Sequence, residues 1–256
     1  MLIHDINVQP LQVSLMDVLI LCGGFAKRLE PISLFIPKQL LPIRGRPLID
    51  YIVDNALSLG ANKIVVSTNK RFSDQYEYWL ANKKCSGTEN MQLVIEPTLN
   101  NNQKFGAIRG IENTIRAAKL KDDLLVVAGD NFFDFSLLGM AGHFEKSRKP
   151  TICAYDVGSL ESAKNFGVLN IEGDVVKKFN EKPENPESTL ISTGIYLFPK
   201  DLLNEFGEYL KDGNNPDAPG YFIKYLVSKH EVHAVIPRGN WYDIGTLDAY
   251  NKVCFG

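Results

Sequence analysis

Two glycines, Gly23 and Gly24, follow directly on the apolar run Val18–Leu21. With no Cβ atoms in the way, a backbone of this kind approaches a ligand closely and aims its N–H groups at phosphate oxygens. Arg28, shortly after, adds a rigid forked donor suited to phosphate. The segment LCGGFAKRLEP is neither GxGxxG nor GxxxxGK[ST], which argues against dinucleotide oxidoreductases and P-loop enzymes. In IPKQLLPIRGRPLI, Lys38 lies between Pro37 and Pro42. Those prolines predict an extended, stiff segment, and a cation pinned there keeps its place as charge builds on a phosphoryl group. Asp130 ends the apolar run of DLLVVAGDNFF, and Asp243 follows two aromatics in NWYDIGT. A hard cation such as Mg²⁺ takes carboxylate oxygens together with substrate phosphates, and two aspartates from distant segments suit it. In FNEKPENP, Lys182 could hold a second phosphate and Glu181 a sugar hydroxyl, although the segment by itself reads first as a solvated charged loop. Each segment alone also fits a blander reading: a Gly-Gly turn, an exposed lysine, a capping aspartate or a solvated charged loop.

The elements that must position these residues alternate through the first half. Val18–Leu21 reads as a buried parallel strand, PLIDYIVDNALSLG (47–60) as a helix opened by Pro and closed by Gly. Strand Lys63–Ser67, helix 73–82, strand Gln92–Glu96, helix 106–119 and strand Leu124–Ala128 follow. This order predicts right-handed crossovers and an α/β fold with a Rossmann-like, mostly parallel twisted sheet flanked by helices. Ligands collect at the carboxyl ends of such strands, so Gly23, Gly24 and Asp130 should line one crevice. The second half carries strand Ile152–Asp156, then GVLNIEGDVVKKF (167–179), a β-hairpin turning at Gly173-Asp174. Strand Leu190–Phe198, helices near 200–210 and 219–229 and strands near 231–236 complete it, with 211–220 the clearest loop. The reading is one domain over 16–256, with a sugar-side elaboration in its second half and residues 1–15 as a loosely held extension.

Composition narrows the classes. Of 256 residues, 45% are hydrophobic and 23% charged, as in ordinary globular domains. A formal net charge of −2 supplies no field for a nucleic acid. No apolar run reaches the roughly 20 residues that span a bilayer, and the first residues do not read as a signal peptide. Cys22, Cys85, Cys153 and Cys254 form no CxxC pair, so reduced thiols in a cytoplasmic protein are expected.

The order of the motifs is more specific than any one of them. GGxxxRLxP, PKQLLPI, GDN after a strand, EKP and WxDxGT together resemble the nucleotide-sugar pyrophosphorylases, the sugar-1-phosphate nucleotidyltransferases. KQLLPI and DAPGYFIKYL (217–226) are most similar to the glucose-1-phosphate thymidylyltransferase branch, and the match runs from about Met16 to the C-terminus. The resemblance implies transfer of a nucleoside monophosphate (dTMP or UMP) from dTTP or UTP to a sugar 1-phosphate, glucose 1-phosphate being expected, with Mg²⁺ as cofactor. It implies Arg28 and Lys38 as catalytic, Gly23, Gly24, Glu96 and Gly106 as nucleotide-binding, Gly167, Glu181 and Lys182 as sugar-phosphate-binding, and Asp130 with Asp243 as metal ligands. The chain departs from the family where Gly-Thr-Arg becomes Ala26-Lys27-Arg28, and where Glu96 replaces a glutamine. A carboxylate accepts from a base N3–H but cannot donate to a carbonyl. TLNNNQKFG (98–106) is also longer and more polar than the branch's loop. Some relatives add a hexapeptide-repeat acyltransferase; no such repeat occurs here, and no second activity is expected. Two other readings stay open: a catalytically weak regulatory module that binds nucleotide sugar, and a nucleotidyltransferase for a different phosphorylated acceptor. Homo-oligomerisation is left open.

Overall fold

The structure is a computed structural model and describes residues 15–83 and 87–255. Its first half runs β1 (Met16–Cys22), β2 (Pro42–Ile43), β3 (Arg46–Pro47), α1 (Leu48–Ser58), β4 (Lys63–Asn69), α2 (Ser73–Asn82), β5 (Met91–Glu96), α3 (Ala107–Ala117) and β6 (Asp123–Ala128). Next come β7 (Asn131–Phe133), α4 (Leu138–Ser147), β8 (Thr151–Asp156), α5 (Leu160–Ala163), β9 (Gly167–Glu172), β10 (Val175–Glu181) and β11 (Leu190–Phe198). The chain closes with α6 (Glu205–Lys211), α7 (Pro219–Lys229), β12 (His233–Val235), β13 (Trp241–Asp243) and α8 (Leu247–Phe255).

Nine strands form one sheet in the order β5-β4-β1-β6-β11-β8-β12-β10-β9. β1 pairs in parallel with β4 and β6, and β4 with β5, as the alternating helices require. The parallel character stops at β11, which runs antiparallel to both β6 and β8. β8 and β12 are parallel again, and β9–β10 is the antiparallel hairpin expected around Gly173-Asp174. The sheet is therefore parallel across β5-β4-β1-β6 and mixed over its full width.

Both faces of the sheet's central strands are buried. Successive β1 side chains point opposite ways, so Val18 and Ile20 join Ile52, Val53, Ile64 and Val66 on one face. Leu19 joins Val65, Ile108, Ile111, Leu124 and Val126 on the other. Helices α1 and α2 cover the first face, and α3, α6 and α7 the second with Phe206, Phe222, Ile223 and Leu226. Each fully buried aliphatic or aromatic side chain contributes about 1.5–3 kcal/mol of transfer free energy. The central strands are thus a rigid base for the loops at their carboxyl ends.

β1 begins at the buried Met16, preceded by the exposed Leu15. The rest of the expected extension, residues 1–14, lies outside the described residues, as does Cys85. Two local expectations need correction. The segment between Pro37 and Pro42 is not simply extended, because Lys38–Leu40 forms a 3-10 turn closed by Leu40 N–H to the Pro37 carbonyl. The helix expected near 200–210 splits into a turn over Lys200–Leu202 and the short α6. Among the described residues, no helix is long and apolar enough to cross a membrane.

Candidate active site

The carboxyl ends of β1, β4, β5 and β6 open onto two adjoining crevices. The first is lined by Gly23, Gly24 and Phe25 after β1, Glu96 at the end of β5, and Gly106 and Gly110 at the start of α3. The second is lined by Arg28, Asp130, Asp243, Gly167, Glu181 and Lys182. They share a wall, for Leu21 of the first and Ala128 of the second are cross-strand partners. All eleven residues singled out in the sequence gather here, since Lys38, the remaining one, is ion-paired to Asp130.

Asp130 and Asp243 lie far apart in sequence and are joined by a two-stranded ribbon. β7 and β13 pair antiparallel with Asp243 opposite Asn131, and the Ile244 N–H donates to the Asp130 carbonyl at 2.9 Å. Asn131 Nδ2 donates to the Thr193 carbonyl at 2.6 Å, which fixes the ribbon's origin to β11. The Lys38 ammonium reaches Asp130 Oδ2 at 2.5 Å. Gln39 beside it is buried and accepts from the Tyr76 hydroxyl at 2.9 Å, so the turn carrying Lys38 is anchored to the core. The Arg28 guanidinium lies over Gly245, where a Cβ would come within 2.9 Å of Nη2. A side chain there would push the guanidinium or the Asp243 carboxylate aside.

The electrostatics of the two aspartates diverge. Burial pushes Asp130 up, but the Lys38 ammonium, by charge and by hydrogen bond, outweighs it and holds the carboxyl below its ordinary value. Asp243 is raised from 3.8 to about 6, first by burial and then by the negative charge of Asp130, with Lys38, Arg28 and Lys182 opposing. Two neighbouring carboxylates, one of them raised by burial and by the charge of the other, are a donor set that a hard divalent cation fits. Asp130 and Asp243 are the residues that would hold it.

In the second crevice the hairpin's open end presents Gly167 and Glu181, which are paired across it. The Glu181 carboxylate packs against the bare backbone of Gly220, the first turn of α7, and burial raises its pKa against the pull of Lys182. Lys182 sits at φ +45° with its N–H on the Phe166 carbonyl at 3.0 Å. That left-handed bend turns the chain at the rim of the crevice.

In the first crevice the Glu96 carboxylate lies against Gly23 and Gly110, and burial raises its pKa. Gly106 takes φ +84° and presses on the Pro216 carbonyl, where no Cβ would fit. The Ala107 and Ile108 N–H groups donate to the Asp217 and Pro216 carbonyls at 3.1 and 3.0 Å, and Lys104 pairs with Asp217 at 2.6 Å. Phe25, Lys104, Gly110 and Asp217 were not found from sequence. Gly110, a glycine inside a helix, was the one legible signal of close approach.

A sequence model described as "Nucleotidyl transferase" matches residues 17–254. The chain belongs to the nucleotidyl transferase family. Within that family it is 32% identical over 241 residues to a Sulfolobus acidocaldarius protein provisionally named mannose-1-phosphate guanyltransferase, covering 93% of this chain and 62% of that one. It is 30% identical over 254 residues to the glucose-1-phosphate adenylyltransferase of Thermomicrobium roseum, covering 91% of this chain and 57% of the relative. The chain thus spans somewhat over half the length of these curated relatives. Among solved structures, a UDP-glucose pyrophosphorylase superposes with a TM-score of 0.78 at 21% identity, covering 94% of this chain and 97% of that one. A Bacillus anthracis protein provisionally named glucose-1-phosphate thymidylyltransferase does so with 0.78 at 22%, covering 93% of each chain. These likenesses establish the family's α/β fold.

Proposed function

We propose that the chain transfers a nucleoside monophosphate from its triphosphate to a sugar 1-phosphate, releasing pyrophosphate, with Mg²⁺ held by Asp130 and Asp243. The observation that carries this reading is the junction of the two crevices, where both aspartates meet Arg28, Lys38 and Lys182. An oxygen of the sugar phosphate attacks the α-phosphorus; the new P–O bond forms as the bond to the β-phosphate oxygen breaks. Two anions must meet, and unit charges about 4 Å apart at an effective dielectric of about 20 repel by roughly 4 kcal/mol. Mg²⁺, when bound, neutralises phosphate charge. Arg28 and Lys38 supply fixed positive charge beside it, and Lys182 holds the acceptor phosphate while Glu181 accepts from a sugar hydroxyl. The nucleophile is already ionised, so positioning and electrostatics do the catalysis.

The finer reading takes dTTP or UTP as donor and glucose 1-phosphate as acceptor, supported by the KQLLPI and DAPGYFIKYL motifs. It requires Glu96 to be neutral, its carbonyl accepting from N3–H and its O–H donating to a base carbonyl. Burial favours that form. A second reading is favoured by the same residue: ionised, Glu96 offers two acceptors to the adjacent N1–H and N2–H donors of guanine. Pyrophosphate release with Mg²⁺, glucose or mannose 1-phosphate, and each triphosphate tests both. Release with none rejects the proposal. If GTP is the donor, Glu96→Gln lowers kcat/KM for GTP by about 10–100-fold, the cost of an unpaired donor. If dTTP or UTP is the donor, turnover falls as pH rises through the Glu96 titration, and Glu96→Gln flattens that profile.

A further inference from the structure

At the far end of the β9–β10 hairpin from the crevice, three side chains from separate elements converge. They are His143 in α4, Asp174 in the hairpin turn and His233 at the start of β12. His143 Nε2 and His233 Nδ1 are hydrogen-bonded at 2.9 Å, and Asp174 Oδ2 is 3.6 Å from each. The carboxylate is too distant for a good hydrogen bond to either ring. Yet a triangle with these sides has its centre about 2.0 Å from every corner, the length of Zn–N and Zn–O bonds.

Two further features prepare the ligands. His233 Nε2 lies 3.3 Å from Glu231 Oε1, which is itself paired with Lys149 at 3.6 Å. Donation from Nε2–H to that carboxylate fixes the tautomer that turns the Nδ1 lone pair toward the triangle, the usual outer partner of a metal-bound histidine. Backbone bonds hold the other corners: the Ala234 N–H donates to the Asp174 carbonyl at 2.7 Å, and the His233 N–H to Pro150 at 2.8 Å. Two imidazoles and one carboxylate suit zinc and its neighbours among the transition metals, and not Mg²⁺, which takes oxygen ligands. The Asp174 side chain is 52% exposed, so an ion can enter from solvent and water can complete its coordination.

We propose that His143, Asp174 and His233 form a binding site for a divalent transition-metal ion of the zinc class, separate from the nucleotidyl-transfer crevice. The ion ties the hairpin turn to α4 and β12. The hairpin strands carry Gly167 and Glu181 at their other end, about 20 Å away at the rise of a β-strand. The tie therefore stiffens the hairpin without touching the reacting groups.

The test is equilibrium dialysis of the full chain, without a histidine tag, against Zn²⁺ in excess Mg²⁺, which occupies the carboxylates of the crevice. Bound metal is read by elemental analysis, and Co²⁺ is used in parallel for its visible absorption. The expected result is one Zn²⁺ per chain, a Co²⁺ spectrum of low coordination number, and a Zn²⁺-dependent rise in the urea midpoint. All three are lost in His143→Gln and in the near-isosteric Asp174→Asn, whose folding is verified by circular dichroism without metal. Both residues lie at least partly on the surface, where substitution disturbs packing least. If neither folds, Zn²⁺ protection of His143 and His233 from diethyl pyrocarbonate decides in the parent protein, and its absence overturns the site. Stoichiometric Zn²⁺ unchanged in either folded variant, or no binding by the parent, also overturns it. Because the readout is metal content, failure here is independent of the proposed nucleotidyl transfer.

Discussion

Asp243 holds its proton more tightly in the fold than in the unfolded chain, since its pKa rises from 3.8 to about 6. Without metal, protonation therefore stabilises the fold at low pH, and that contribution is lost as pH rises through about 6. Above it the buried charge costs up to about 3 kcal/mol. Asp243→Asn is expected to raise metal-free stability at pH 8 by about 1–3 kcal/mol in urea unfolding, while losing most Mg²⁺-dependent turnover. A variant no more stable than the parent would show that the lysines and Arg28 already compensate the charge. If Asp243 holds Mg²⁺ as proposed, the apparent Mg²⁺ requirement of the parent should rise by about tenfold per pH unit below 6, since proton and metal would compete for one carboxylate. Arg28→Ala and Lys38→Ala should each lower turnover by about 10²–10³; kinetics within tenfold of the parent for both would reject their roles. These residues were legible because their chemical types stand in ordered motifs. The Lys38–Asp130 pair was not, because it depends on a turn and a ribbon that no local pattern specifies. Nor was the left-handed conformation of Ala26, at φ 46° and ψ 45°, at the position where the sequence departs from the glycine of the motif it resembles. That conformation costs an alanine about 1–2 kcal/mol, so Ala26→Gly is expected to leave thermal stability equal or higher despite glycine's greater freedom when unfolded.

At the scale of elements, the site rests on short pieces. The three-residue strands β7 and β13 bring residues 130 and 243 together, and the 3-10 turns over Lys27–Leu29 and Lys38–Leu40 present the cations. Such pieces carry too few residues for a hydrophobic period, which is why the sequence showed their motifs and not their shapes. The long elements behaved differently. α1, α2, α3, α7 and the β9–β10 hairpin fall within a few residues of expectation, because alternation and helical spacing persist through each. Gly106 supplies the sharpest test at this scale. Gly106→Ala places a Cβ against the Pro216 backbone at φ +84° and should cost at least about 2 kcal/mol in urea unfolding, with weakened nucleotide binding.

Across the whole molecule, the alternation of strands and helices told of a Rossmann-like sheet but not of where its parallel run ends. β11 inserts antiparallel beside β6, with β8 next to it, and strand order across such a sheet is set by crossovers between distant segments. A parallel pair and an antiparallel pair buried on both faces read alike in sequence. The insertion matters, since it carries Thr193 and Gly194 to the crevice and anchors Asn131.

The stretch from Pro216 to Gly220 braces the first crevice through Gly106 and Asp217, and its Pro219 and Gly220 line the second. If the two crevices seat donor and acceptor as proposed, one stretch of backbone couples the two preferences. Redesign of one crevice at residues 216–220 should therefore disturb the fit in the other.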